Sequence, residues 1–259
     1  MQAPIDPRHG SDTPAMAPHP PLTGYYGEPG NRTAWVQHIF DDTAVDYDRI
    51  ERLAGLGSGP WYRRAALLRA GLQPGMRVLD VGMGTGLVAL QAAQIVGDPS
   101  LVTGVDPSPG MMGNARLPAA VTLLQGYAED LPCPDASFDF LSMGYALRHI
   151  SDLGKAFREF RRVLRPGGRL CLLEVTPPDS AWLRLLLKGY LRGVVPGLAR
   201  LASRSARTPQ MWAYYWDTIA ACVPPARVLD ALREAGFADV ERHVEVKIFS
   251  EYRAARPAS

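Results

Sequence analysis

Residues Val78–Gly86 read VLDVGMGTG, and Asp106 stands twenty positions beyond Gly86, at the end of a second apolar run, Leu101–Val105. Val78, Leu79 and Val81 suit a buried strand. Gly82, Gly84 and Gly86 allow a tight turn whose backbone can approach a ligand at the N-terminus of the next helix. Asp106 then falls where a carboxylate can accept hydrogen bonds from two ribose hydroxyls. The pattern excludes several nucleotides. In G-x-G-x-x-G the third glycine comes one residue later, but Leu87 occupies that place here, which disfavours NAD and FAD. No G-x-x-x-x-G-K-[ST] loop occurs, so ATP and GTP are poor candidates. Asp80, just before the turn, is an acid where a phosphate-binding turn would not want one.

The elements that must position these residues alternate along the chain. Strands are expected at Arg77–Val81, Leu101–Val105, Val121–Leu124, Phe138–Met143 and Arg169–Val175, with helices at Gly86–Ile95, from Ser108, and through Leu153, Phe157, Phe160 and Leu164. Pro166-Gly167-Gly168 is expected to end the last of these helices. Such alternation predicts right-handed crossovers and a parallel sheet. Val240–Val246 and Ile248–Tyr252 offer two final strands forming an antiparallel end, after a short helix over Pro225–Gly236. Ahead of the core, Trp35–Tyr47 and Trp61–Ala70 read as amphipathic helices around a Gly-rich joint, able to close over a cleft.

A chain of 259 residues can bury one substantial α/β core. Its net charge of +2 and its lack of a basic, aromatic-interleaved face exclude nucleic acid as the expected partner, leaving a small molecule. Cys133, Cys171 and Cys222 are far apart and form no C-x-x-C or Cys/His cluster, so a reducing, cytoplasmic setting and no metal site are expected. Residues 1–30 hold seven prolines and no continuous apolar stretch. They are expected to be disordered and to contain no signal peptide. No apolar run reaches the ~20 residues of a membrane span. Ala181–Arg207 is Leu/Val-rich, carries Arg184, Lys188, Arg192, Arg200, Arg204 and Arg207, and has no acidic residue. It reads as a helical lid with snorkelling cationic stems, or as a contact with an anionic membrane surface or lipophilic substrate, and the two readings are compatible. Peripheral contact at the inner face of the membrane, and a homodimer, are left open.

The form D-x-G-x-G-x-G, Asp80 to Gly86, resembles the first motif of class I S-adenosylmethionine (SAM) methyltransferases. Three further stretches narrow the resemblance. Arg162–Thr176, RVLRPGGRLCLLEVT, is similar to the R-V-L-K-P-G-G…L-E-x-S signature of the C-methyltransferases of ubiquinone and menaquinone biosynthesis. Gly144–Ile150, GYALRHI, is similar to that family's S-F-G-x-R-N-V. Phe40–Ile50, FDDTAVDYDRI, is similar to its F-x-x-V-A-x-x-Y-D-x-M. The resemblance runs from about Trp35 to the C-terminus. It implies a Rossmann-like class I α/β fold with a mostly parallel seven-stranded sheet, an N-terminal helical cover and a helical insertion after the fifth strand. One domain, 31–259, would comprise a lid (31–75), a SAM-binding core (76–177), the insertion (178–224) and a C-terminal helix and strands (225–255).

The same resemblance implies roles for individual residues. Asp80 would lie near the SAM amino group, with the backbone of Gly82, Gly84, Thr85 and Gly86 along the methionine part and Asp106 on the ribose. Tyr127, Ala128 and Glu129 would contact adenine. Met111 and Met112 would pack on its ring or form plain core. Gly144 and Tyr145 end the fourth strand, beside the transferring methyl. For catalysis, Arg148 would stabilise a phenolate, His149 (where Asn is usual) would accept a proton or simply start a helix, and Tyr47 would orient the acceptor or pack.

Departures gather on the acceptor side. The family's Asn-Asp after Y-D-x-M is Glu51-Arg52 here, its His-Arg after the loop glycine is Gly59-Pro60, and its S-I-R-M-H-P aligns with Thr218–Val223, without the arginine or the histidine. The cofactor site is therefore expected to be family-like and the acceptor site to have diverged. The leading reading, from the resemblance, is C-methylation of an electron-rich, lipophilic acceptor such as a quinol precursor, and the departures add weight to its runner-up. The alternatives are O- or N-methylation of a secondary metabolite, C-methylation of a prenyl diphosphate, and a non-catalytic SAM-binding accessory protein.

Overall fold

The computed structural model describes residues 15–258. Along the chain run α1 (Thr23–Tyr26), α2 (Arg32–Ala54), α3 (Gly59–Arg69), β1 (Val78–Val81), α4 (Leu87–Val96), β2 (Val102–Asp106), α5 (Pro109–Gly113), β3 (Thr122–Gln125), β4 (Phe138–Gly144), α6 (Leu153–Val163) and β5 (Leu164–Val175). They are followed by α7 (Ala181–Gly189), a π-helical turn (Tyr190–Val194), α8 (Val195–Ala202), α9 (Thr208–Ala221), α10 (Pro225–Glu234), β6 (Ala238–Glu245) and β7 (Phe249–Ala255). The seven strands form one sheet in the order β3-β2-β1-β4-β5-β7-β6. The first five are parallel, and β7 is antiparallel to both β5 and β6. This is the expected Rossmann-like α/β architecture.

The central strands are apolar because both of their faces are covered. Leu79, Val81, Leu170 and Leu172 pack with Phe157 and Phe160 of α6 and with Val228 and Leu232 of α10. Val78, Phe140, Cys171 and Leu173 face the other way, onto α3 and α4 through Leu67, Ala89 and Ala92. Asp152 starts α6 by accepting hydrogen bonds from the amides of Gly154 and Lys155, at 2.9 and 3.2 Å. Burying Phe157 or Phe160 completely contributes about 2–3 kcal/mol each. A third cluster joins Ile39 and Ile50 of α2 to Met211, Trp212, Trp216 and Ile219 of α9, so the insertion packs on the N-terminal cover and not on the sheet alone.

Three expectations change. Helix α2 continues past Tyr47 to Ala54, because Ile50 carries its buried face one further turn. Strand β5 begins at Leu164, so Pro166-Gly167-Gly168 lies within it, and α6 has already ended at Val163. The disorder expected of residues 1–30 does not hold for residues 15–30. Residues 1–14 lie outside the described residues, but residues 15–30 are docked: the amide of Met16 bonds the Asp152 carboxylate at 3.3 Å, and Pro18 O accepts from the amide of Val223 at 2.7 Å. The Tyr25 ring meets Trp35 and Tyr214 at 5.5 and 5.1 Å. Aromatic burial supplies the ordering energy that the proline content concealed.

Candidate active site

One cavity opens at the carboxyl ends of β1, β2 and β4, beneath α2 and α9. Its floor is the turn after β1. Gly86 caps α4 with φ 84°, a left-handed conformation that a side chain would strain, and a Cβ at Gly82 would come within 2.6 Å of the Ala146 Cβ. Asp106, at the end of β2, is fixed by backbone donors: its Oδ2 accepts from the amide of Gly84 and its Oδ1 from the amide of Ser108, both at 2.8 Å. Burial pushes its carboxyl up to about 6. Asp80 lies deeper. Its Oδ1 accepts from the Ser142 hydroxyl at 2.7 Å, whereas its buried Oδ2 has no partner among the described residues. Burial raises this carboxyl to about 7. A buried carboxylate oxygen without a donor, lining a cavity, suits a ligand ammonium that would restore its charge.

Helix α2 closes this end with its own carboxylates. Asp48 accepts from the Thr85 hydroxyl at 2.5 Å, and Asp41 accepts from the Ser108 hydroxyl at 2.5 Å and the Gly110 amide at 2.8 Å. The cover is therefore tied to both loops that form the floor. Tyr127, Ala128 and Glu129 line the side beyond β3, where the Tyr127 hydroxyl reaches Gln37 of α2 at 3.3 Å and Glu129 accepts from the amides of Ser151 and Asp152. Met111 is buried and lines the cavity.

The rest of the lining is made of side chains: Phe40, Tyr47, Tyr145, His149, Tyr215 and Arg63. Tyr47 stacks on Trp212 at 5.7 Å, and burial holds its hydroxyl far above the ordinary tyrosine value. Tyr145 takes φ 60° at the end of β4, with the Arg63 guanidinium 5.7 Å from its ring centroid. His149 sits between Phe40 and Tyr214 at 5.0 and 5.7 Å. Both its ring nitrogens are buried without a partner among the described residues. Burial first, then the positive charges of Arg148 and Arg32, holds its pKa well below the ordinary histidine value, so the ring is neutral.

The cavity thus gathers Asp80, Gly82, Gly84, Thr85, Asp106, Met111, Tyr127, Ala128, Glu129, Gly144, Tyr145, Tyr47 and His149, all singled out from sequence. Gly86 shapes the turn from behind, and Met112 is not part of the lining. Arg148 is the main correction: it does not line the cavity. It is fully buried, and its Nε donates to Glu174 at 2.8 Å. Further bonds reach Thr218 Oγ1 at 2.5 Å, Tyr215 O at 3.3 Å and Tyr145 O at 3.2 Å, and its guanidinium carbon lies 4.3 Å from the Tyr215 ring centroid. Arg148 is a clasp between β4, β5 and α9, and its donors are spent on protein acceptors. A second correction concerns Ala220 and Cys222, where the family's arginine and histidine are lost: Ala220 is exposed and neither residue lines the cavity.

Sequence reasoning missed Arg63, Tyr215, Phe40 and the α2 carboxylates. Asp41 and Asp48 left a signal, as acids on the helix that faces the glycine turn. Arg63 left none, being one arginine in the Arg63-Arg64 pair of an amphipathic helix.

The sequence profile of the ubiE/COQ5 methyltransferase family matches residues 29–247. The chain is 32% identical over 223 residues to the demethylmenaquinone methyltransferase of Symbiobacterium thermophilum, covering 82% of this chain and 88% of that one. It is 30% identical over 228 residues to the ubiquinone/menaquinone biosynthesis C-methyltransferase UbiE of Coxiella burnetii, covering 85% and 90%. Among solved structures, a SAM-dependent methyltransferase from Aquifex aeolicus superposes with a TM-score of 0.56 at 21% identity, covering 81% of this chain and 97% of that one.

Proposed function

The chain belongs to the ubiE/COQ5 methyltransferase family and is a SAM-dependent methyltransferase, and from that premise we propose that it methylates a ring carbon of a lipophilic quinol precursor. The observation that carries this reading is the mixed lining of the cavity: two buried carboxylates on β1 and β2, and aromatic side chains from the helices and the turn after β4. The donor fits the carboxylates. The Asp80 Oδ2 receives its ammonium, Asp106 accepts from the ribose hydroxyls, Tyr127–Glu129 border the adenine, and Met111 packs beside it. When bound, SAM supplies a methyl group without its bonding electrons, which stay on sulfur while the acceptor ring provides the pair for the new bond.

The protein's own part is placement and protonation. Tyr47, Phe40 and Tyr215 form flat walls that hold an aromatic ring and exclude water, so that the acceptor carbon keeps one orientation. His149, neutral and with two unpartnered nitrogens, can accept a hydrogen bond from an acceptor hydroxyl. Residues 31–259 act together in this scheme, since lid, core and insertion each contribute a wall.

Peripheral membrane contact belongs to the same reading, because a polyprenylated acceptor resides in lipid. Among the described residues no helix is long and apolar enough to cross a membrane. Trp182, Leu185 and Leu186 of α7 stand exposed, and Leu186 shares a groove with Val246 and Lys247 of the β6–β7 turn. Apolar side chains flanked by Lys188 and Lys247 suit an anionic bilayer at the inner face of the membrane. Not all of the insertion's cations take part: Arg192 and Arg207 pair with Asp217 and Asp42 at 2.5 and 2.7 Å.

Purified protein with methyl-labelled SAM and demethylated naphthoquinol or benzoquinol acceptors tests the function. Product fragmentation should place the label on a ring carbon. Label on oxygen or nitrogen, or SAM bound with no label transferred, would overturn the proposal.

A further inference from the structure

With Arg148 enclosed, the Arg or Lys side chain that lines the cavity among the described residues is Arg63. It is 3% exposed and lines the cavity, with its guanidinium above the Tyr145 ring. Glu51 takes one of its donors at 2.5 Å, and its buried Nε has no partner among the described residues. A guanidinium has five N–H donors, so capacity remains for an anionic oxygen.

The surroundings are arranged for this side chain. A Cβ on Gly59 would lie 2.5 Å from Arg63 Nη1 and 2.8 Å from Glu51 Oε1, closer than real Cβ atoms come to a neighbour. Glu51 and Gly59 are two of the positions at which the chain departs from its family's pattern, with Glu for Asn and Gly for His. The two departures, eight residues apart in sequence, meet on one guanidinium. One supplies its anchor and the other leaves it room.

We propose that Arg63, anchored by Glu51 in the space left at Gly59, binds the ring oxygen of the acceptor as its anion and so sets which acceptors react. The inference rests on the quinol reading. The acceptor O–H breaks with its electron pair remaining on oxygen and its proton leaving to water, and once the ring carbon carries the methyl group its own C–H bond breaks, the proton again leaving to water and the pair restoring the aromatic ring, so no oxidant or reductant is involved. The charge gained by oxygen is delocalised to the ortho and para ring carbons, where a C–C bond can form, and the guanidinium offsets it in a water-poor site. Arg63 is therefore assigned as a catalytic residue, and Glu51 and Gly59 as positioning residues.

The test uses the full chain and 4-nitrophenol, whose phenolate alone absorbs in the visible. Bound to wild type, the probe should ionise about one pH unit or more lower than in solution, the effect of an opposite charge nearby. Arg63→Gln and Gly59→His should abolish the shift, Arg63→Lys should keep part of it, and Glu51→Gln should reduce it. SAM affinity is measured in all four as well, because Arg63 also acts on the Asp80 carboxyl; a loss of SAM affinity without loss of the probe shift would assign the guanidinium to the donor instead and overturn the proposal. With a quinol acceptor, Arg63→Gln should lower kcat by about 100-fold, the typical effect of removing a donor that meets developing negative charge. Gly59→His lies at the half-buried first residue of α3, where the new side chain meets only the flexible ends of Arg63 and Glu51, and keeps the idea testable if Arg63→Gln does not fold. An unshifted probe in wild type, absence of probe binding, or equal shifts in wild type, Arg63→Gln and Gly59→His would overturn the assignment. A shift that depends on Arg63, found together with no ring methylation, would instead sink the quinol reading and leave the anion site standing.

Discussion

The two ends of the cavity are built from different material. At the donor end the contacts are set by backbone: Asp106 is held by the amides of Gly84 and Ser108, and the turn from Gly82 to Gly86 follows directly from β1. At the acceptor end the walls are side chains from α2, α3, α9 and the turn Leu147–His149, brought together only by tertiary packing. A backbone site requires particular residues at fixed spacing and tolerates little drift. A side-chain site can be rebuilt one residue at a time, as Glu51, Gly59 and Arg63 illustrate, while the donor end stays intact.

The contrast is broken most severely through Arg148, which the structure removes from chemistry and assigns to architecture. Arg148→Ala should cost about 3–5 kcal/mol of stability, because Glu174 would be left charged and buried without its partner. Arg148→Met combined with Glu174→Leu should recover much of that loss in chemical denaturation. If Arg148→Ala folds with wild-type stability yet fails to turn over, Arg148 belongs to the acceptor site after all. Next in size, Asp106→Ala should weaken SAM binding by about 100-fold in calorimetry, through the loss of charge-assisted hydrogen bonds to the ribose. Unchanged affinity would remove the ribose assignment and with it the backbone-built donor end. The smallest effect belongs to the outer surface behind the acceptor end. Trp182→Ser with Leu185→Ser should reduce co-sedimentation with phosphatidylserine-containing vesicles by about tenfold, leaving turnover of a water-soluble acceptor unaltered. Equal sedimentation of variant and wild type would detach the insertion from lipid.

The same division explains what could be read from the chain. All seven strands were legible, as were the parallel core and the antiparallel end: the buried β1, β2, β4 and β5 as apolar runs, and the largely exposed β3 and β6 through their place in the order of elements. The donor-end residues were legible too, since backbone turns leave glycines and carboxylates at set spacing. Arg148 misled because a motif shows that an arginine is present but not that Glu174, within the neighbouring LLEV, will enclose it. Residues 15–30 misled because proline content hides the partners that Tyr25 and Pro18 find 190 or more residues away. Arg63 was invisible for the same reason: its meaning depends on Glu51 reaching it from another helix and on the space that Gly59 leaves one turn earlier in its own.

The central claim is that a buried carboxylate awaiting a cation defines the donor end, and the pH dependence of SAM binding tests it most directly. Burial raises Asp80 to about 7, so the neutral form prevails below that pH in the free protein. A bound ammonium favours the ionised form, and affinity must therefore be greatest above the raised value and fall as pH drops through it. Calorimetric titration should show binding about tenfold weaker at about pH 6 than at about pH 8, as expected for one linked proton. In Asp80→Asn this dependence should largely flatten, with affinity low at both values. Equal affinity at the two pH values in wild type, or an unchanged slope in Asp80→Asn, would contradict the account.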